Sequence, residues 1–281
     1  PVAGSDERFR STIDSVLRIL RMDRSMALPS FDHAEREGLA LRRYESIVLT
    51  PVQLSDLLDH LAARLSAEAK LLQGRATNLR RWDGAWCVEV TTSNATVQLL
   101  TDAVFYAAGR LSDDFLLRAG AEPRDGKGLD VGVRLEFVNK EALSVLRGFG
   151  PDAKILHNEC RTFCLNSPGQ IYRYPFENLT IPGGVVASPE TLTGNVGILL
   201  RLGNKKESLE AILRKSAGVE AALLAESAKI STERKPTIPP VLVSVFGEKS
   251  CGELQSFANQ LHLEGLIDFA SEHRIHMPLL D

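Results

Sequence analysis

Apolar residues recur at intervals of three and four along residues 5–22. Phe9, Ile13, Val16, Leu17 and Leu20 share one face, and Asp6, Arg10, Asp14 and Arg18 the other, which predicts an amphipathic helix. Residues 26–44 carry Pro29, Gly38 and mixed charge and read as a connector with a short strand at 39–42. Thr50-Pro51-Val52-Gln53 is a helix start: Thr caps free N–H groups, Pro suits the first helical position, and Gln completes a capping box. That helix runs to about Leu72, and its apolar line of Leu54, Leu57, Leu58, Leu61 and Leu65 is expected to pack on a sheet or another helix.

The period then changes to two. Residues 76–79, 86–91 and 95–100 read as strands, the last two forming a hairpin across Ser93-Asn94, and 102–106 as an apolar strand that breaks at Ala107-Ala108-Gly109-Arg110. Trp82 and Trp86 read as hairpin packing. In 129–137, Val131, Val133, Leu135 and Phe137 alternate with Gly132, Arg134 and Glu136, a half-buried strand. Residues 159–165 form another, reversed by Asn166-Ser167-Pro168-Gly169 into a strand at 170–174. Strand pieces follow at 178–181, 183–187 and 196–202. Residues 207–229 read as helix with a weak point at Gly218, 241–246 as strand, and 251–262 and 264–273 as short helices.

At 281 residues, 44% hydrophobic and 25% charged, the chain has the composition of a globular protein large enough for a real core. A net charge of -3 gives no general attraction to nucleic acid, and no apolar run approaches the roughly 20 residues that span a bilayer. Four cysteines are too sparse for a disulfide scaffold and the N-terminus lacks the order of a signal peptide, so a cytoplasmic location is expected. The start at Pro1 raises the expectation of a fragment or processed product.

Candidate chemistry concentrates in 129–174. Arg134 and Arg161 are able to clamp a carboxylate in bidentate fashion; the competing reading pairs such strand arginines with Glu136 or Glu159. Cys160 and Cys164 lack a second ligand pair for zinc, so no metal is expected, and four residues apart on one face of a strand they stand about 13 Å apart, too far for a disulfide. Cys164 reads as a buried or site-lining thiol. His273 and His276 read as a frayed surface end. No G-x-S-x-G, phosphate-binding P-loop or H-E-x-x-H occurs, which removes support for hydrolase and phosphoryl-transfer chemistry.

AAGRLSDD (107–114), VGVRLEF (131–137), RTFC (161–164) followed by Pro168-Gly169, and TGNVGILL (193–200) come in the order and approximate spacing of a largely uncharacterised group of FAD-dependent dehydrogenases. Over roughly residues 50–205 the chain resembles these two-lobed flavoproteins of the glutathione-reductase-like class. The resemblance implies FAD as cofactor, Arg161 and Cys164 in catalytic positions, and Ala108, Gly109, Arg110, Thr162 and Gly169 beside the cofactor. The G-x-G-x-x-G turn of such folds is missing, as is their closing glycine-rich segment: the chain resembles the middle of a flavoenzyme without its cofactor-gripping ends.

The expected fold is therefore mixed α+β, with a partial dinucleotide-type lobe over 1–118, an inserted sheet-rich substrate lobe over 119–205, and helices and a strand over 206–281. The expected function is the substrate-side portion of an FAD-dependent oxidoreductase acting on a small molecule, with no nucleic-acid or membrane partner and weak flavin binding by this chain alone. The alternative is a non-catalytic ligand- or protein-binding module derived from such a lobe.

Overall fold

The computed structural model describes residues 5–23, 31–36, 38–43, 47–107, 113–122, 128–150, 153–203 and 205–281. The fold is mixed α+β, and the chain divides into two compact units, one of residues 1–58 and 126–281, the other of residues 59–125.

The first unit holds a seven-stranded antiparallel sheet. Its strands in chain order are β1 (Phe31–Arg36), β2 (Leu39–Arg43), β6 (Leu129–Phe137), β7 (Lys154–His157), β8 (Cys160–Asn166), β11 (Gly194–Leu202) and β12 (His273–Leu280); across the sheet the order is β1-β2-β7-β8-β11-β6-β12. The hairpin β9 (Gly169–Phe176) and β10 (Leu179–Val186) forms a separate two-stranded sheet. The alternation expected in 129–137 divides the faces of the large sheet. Val131, Val133, Leu135 and Phe137, with Val196, Ile198 and Leu200 of β11, form one core with the later helices. Those helices are α5 (Lys205–Ser216), α6 (Glu220–Ser227), α7 (Val241–Phe246) and α8 (Glu248–Leu263). The strands of 129–202 and the helices after residue 205 thus share one core. Asp130, Gly132, Arg134 and Glu136 have the opposite parity, where β10 packs across β8 and β12.

α1 (Ser5–Leu20) buries Ile13 and Leu17, as its periodicity predicts. α2 (Pro51–Glu68) begins with the expected capping box, the Thr50 N–H donating to Gln53 Oε1 at 2.9 Å and the Gln53 N–H to Thr50 Oγ1 at 3.3 Å. Its apolar line is not packed as expected. Leu57 is buried, whereas Leu54, Leu58, Leu61 and Leu65 are exposed. Periodicity identifies an apolar face without supplying what covers it.

The second unit contains the antiparallel meander β3 (Arg75–Trp82), β4 (Ala85–Thr91) and β5 (Thr96–Thr101), and the short α3 (Asp113–Arg118). The Arg80 and Arg81 guanidinium groups lie 4.8 and 4.0 Å from the rings of Trp82 and Trp86. The strand expected at 102–106 is absent: β5 stops at Thr101, Phe105 is exposed, and Tyr106 stacks on Phe115 at 5.6 Å.

Two further expectations are corrected near the C-terminus. Residues 241–246 are the helix α7, because Pro239 and Pro240 supply the carbonyls accepting its first N–H groups and Gly247, at φ 89°, closes it. A six-residue apolar run does not itself distinguish a strand from a buried helix. Residues 264–272 form turns after α8, with Gly265 at φ 65°, and lead into β12. The weak point at Gly218 is real: at φ 88° it separates α5 from α6.

Candidate functional site

The polar parity of the sheet carries three linked clusters. Asp130, 2% exposed, accepts from Arg201 Nε at 2.6 Å and from Arg161 Nε at 2.9 Å; Arg161 also reaches Asp281 at 2.9 Å. Desolvation pushes the Asp130 carboxyl up, but the hydrogen bonds and charges of Arg201 and Arg161 together outweigh it and hold the group below its ordinary range. Arg161 is therefore the partner of Asp130 and Asp281, not of Glu159.

At the other end of β6, His276 donates from Nε2 to Glu136 at 2.9 Å, and Arg173 of β9 bonds its Nδ1. A guanidinium only donates, so this geometry requires Nδ1 to accept and Nε2 to carry the proton. The His276 bond is the leading cause that lowers the Glu136 pKa, with the charge and hydrogen bond of Arg274 assisting and burial opposing. His273 and His276 are buried on a strand, correcting the expectation of a frayed surface end. The sequence signal that could have placed them was the alternation His273, Ile275, Met277 against Arg274, His276.

Between these lies Arg134, 1% exposed. It donates from Nε to Pro182 O at 3.3 Å, and from Nη1 to Asn195 Oδ1 at 2.9 Å and Cys164 O at 3.2 Å. Asn166 joins the same two acceptors, and Asn195 donates to Gln170 O. Arg134 thus pairs with neither Glu136 nor Glu159. Burial pushes its pKa down, and no carboxylate is among its hydrogen-bond partners.

A cleft of about 730 Å³ opens beside this network. Its walls are residues 47–50, the β8 end and turn from Cys164 to Pro168, the β10 end from Gly184 to Ala187, and the side chains of Lys140 and Arg147. Lys140 lies in a 3-10 turn, Lys140–Leu143, and Arg147 in α4 (Ser144–Gly148). Lys140 Nζ donates to Pro189 O and Thr191 O at 2.8 and 3.0 Å. The Ser167–Pro168 peptide is cis.

Cys164 faces this cleft because β8 bulges. Cys164 and Leu165 together stand opposite Val196, and Cys164 adopts φ 42°. The strict alternation expected for Cys160 and Cys164 is thereby broken: Cys160 is buried and Cys164 exposed. Desolvation raises the Cys164 pKa even so, opposed by the charges of Arg134 and Lys154. Cys160 is pushed up to about 12, first by burial and then by Glu253 and Glu159.

Of the residues singled out from sequence, the cleft therefore gathers Cys164 and Pro168. Thr162 is buried and accepts from the Ile155 N–H at 2.9 Å, Arg161 is engaged with Asp130, and Gly169 lies against Asn166 and Asn195. Ala108, Gly109 and Arg110 fall outside the described residues. Lys140, Arg147, Asn166, Gly184 and Asn195 were not foreseen as site residues. Among the described residues no group of three or more His, Cys, Asp or Glu side chains could hold a metal ion, and no helix is long and apolar enough to cross a membrane.

To the ring end of a flavin the cleft would offer Ile47, Val48, Leu49 and Val186 as apolar walls and Asn166 as a polar edge. The phosphates are a different matter. They require backbone N–H groups of a glycine-rich turn at a helix start, whereas α2 begins Thr50-Pro51 with its first turn engaged by Gln53. A scan against protein-family models, a search of curated proteins and a search of solved structures each finds no match.

Proposed function

We propose that the cleft beside Cys164 is the substrate-side pocket of an FAD-dependent oxidoreductase to which this chain contributes the sheet-rich part. The observation that carries this reading is convergence. Three sequence segments that share the resemblance, 131–137, 161–169 and 193–200, meet in one hydrogen-bonded network through Arg134, Cys164 and Asn195. That network stands behind the cleft wall formed by residues 164–168 and Gly184, so that 131–137 and 193–200 support the wall without lining it.

A flavin, when bound, supplies the electron-accepting chemistry. The chain's own residues perform the positioning. Arg134 fixes the Cys164 carbonyl and, through Asn195, the strand opposite, so the bulge holds one shape. Lys140, tied to the carbonyls of Pro189 and Thr191, holds Pro189 in the cleft lining. Residues 47–50 and 184–187 provide apolar surface that excludes water from a bound ring.

The test uses Cys164 as the reporter, since the three other cysteines are buried. Riboflavin, which carries the ring end without the adenylate, should slow alkylation of Cys164 in a saturable manner, and ADP should not. Equal alkylation rates with and without riboflavin would remove the flavin reading. The second reading, an interaction module, is favoured by the exposed row Leu54, Leu58, Leu61 and Leu65 on α2. In that case Cys164 labelling is indifferent to flavin, and substitution of these leucines by Ser leaves the fold intact.

A further inference from the structure

We infer that the ligand of the Cys164 cleft is a carboxylate carried on an apolar or aromatic body, drawn in by Lys140, Arg147 and the cation of Arg134 beneath the cleft wall. The inference rests on the cleft being a binding pocket and deepens that reading by naming the chemistry of what it takes.

Charge is the first ground. None of the described residues lining the cleft is acidic, while Lys140 and Arg147 both line it. Arg147 has only a long, exposed ion pair, 3.7 Å to Glu141. Lys140 makes two hydrogen bonds to carbonyls and no ion pair, which leaves one of its three N–H groups without a protein acceptor. Glu190, exposed beside Pro189, feels the Lys140 charge from beyond ion-pair distance.

Arg134 is the second ground. A buried guanidinium is expected to be paired with a carboxylate, because removing an ion from water costs several kcal/mol. Asp130 and Glu136, its neighbours of the same parity on β6, are each paired with other cations. Arg134 instead donates to two backbone carbonyls and a side-chain amide oxygen, which engage three of its five N–H groups without neutralising its charge. Cys164 and Gly184, which contact it, are both cleft-lining residues: a Cβ on Gly184 would lie 2.3 Å from Arg134 Nη1. Asp281 reaches this cation only through space, with no hydrogen bond to it, so the charge behind the cleft wall still favours an anion in front of it.

Shape is the third. A cleft of about 730 Å³ with walls of Ile47, Val48, Leu49 and Val186 is too large and too apolar for a small inorganic anion. An amphipathic carboxylate satisfies both the walls and the charge.

Three isosteric probes decide this: 2-naphthoate, 2-naphthamide and 2-naphthylmethylammonium, each titrated into the full chain while Cys164 alkylation is followed by mass spectrometry. Naphthoate should protect Cys164 saturably and bind at least tenfold more tightly than the amide, with the ammonium probe weakest. In Lys140→Gln the preference of acid over amide should fall about threefold or more, a ratio in which any change to the wall that both probes share cancels. Arg134→Lys should keep the preference and Arg134→Met lose it; if Arg134→Met does not fold, the Lys140→Gln comparison stands alone. Equal protection by acid and amide, stronger protection by the ammonium probe, no protection by naphthoate, or an unchanged preference in Lys140→Gln would overturn the inference. Naphthoate protection without riboflavin protection would retain this ligand class and remove the flavin. The reverse would retain the flavin and remove this ligand class.

Discussion

Gly184→Ala tests whether the Arg134 network dictates how the β9–β10 hairpin sits on the sheet. A Cβ at this position would stand 2.2 Å from Asn195 Oδ1, 2.3 Å from Arg134 Nη1 and 2.7 Å from Asn166 Nδ2. These atoms are not the loose ends of mobile side chains, since Arg134 and Asn195 are held to each other at 2.9 Å and both are almost wholly buried. Either the network breaks or the strand lifts. Losing a hydrogen bond to a charged group costs about 1.5–3 kcal/mol, and overpacking typically costs about 1–3 kcal/mol. Partial relief by movement of the hairpin places the expected loss near 3 kcal/mol, roughly a hundredfold in the folding constant. Gly183→Ala is the internal control. Its Cβ would meet nothing nearer than Tyr174 Cε1 at 3.4 Å, an ordinary contact, and neither glycine has a left-handed φ, so the expected change is within about 0.5 kcal/mol. The assay is urea unfolding read by pulsed labelling of Cys160 and Cys251, buried in the first unit; both tryptophans, Trp82 and Trp86, belong to the second. Indistinguishable midpoints for the two variants would refute the steric account of Gly184.

Asp130→Asn should lower stability by about 2–3 kcal/mol in the same assay, less than the roughly 3–5 kcal/mol of a fully buried broken pair, because Arg201 reaches solvent and Arg161 keeps Asp281. Asp130 and Glu136 both have lowered pKa values in the folded chain, so their contribution is present above the unfolded carboxylate value near ~4 and disappears as pH falls through the lower folded values. The acid limb of stability against pH should therefore be shallower in Asp130→Asn/Glu136→Gln, and an unchanged limb would contradict the assignment. His276→Phe should cost about 3 kcal/mol by leaving Glu136 and Arg173 without their shared partner, whereas His273→Phe should cost only about 1 kcal/mol, because it removes one bond, from Nδ1 to Ser271 O, and Nε2 already lacks a partner. Thermal or urea melts of the pair would settle this ordering.

The elements most legible in the sequence were those with a complete local cause. Thr50 and Gln53 specify the α2 start between themselves, and the alternation of 129–137 specifies the strand β6, though not that its polar face is buried as well, against the half-buried strand expected. Asn166 to Gly169 likewise marked the reversal into β9. What stayed hidden depended on contacts with distant segments. Arg134 is a surface-style strand arginine until Pro182, Cys164 and Asn195 close around it, and Arg161 looks free until Asp130 and Asp281 arrive from other strands. Gly184 was legible as part of the strand piece 183–187, but its role is the absence of a side chain over a network assembled from three other strands. The apolar run 241–246 failed differently: its length suits either a strand or a helical turn, and the prolines ahead of it decided for the helix.

The sheet order has a consequence for time as well as for shape. β6 is flanked by β11 and β12, and β12 is made only at residues 273–280, more than a hundred residues after β6 itself. During synthesis β6 therefore emerges before both of its neighbours, and after β11 has paired, its other edge stays open and its Glu136 without His276 until β12 has emerged. Contacts this distant along the chain are slow to form. This side of the sheet is closed late, and the interval before β12 arrives is when the open edge of β6 is most exposed to pairing with another copy of the chain.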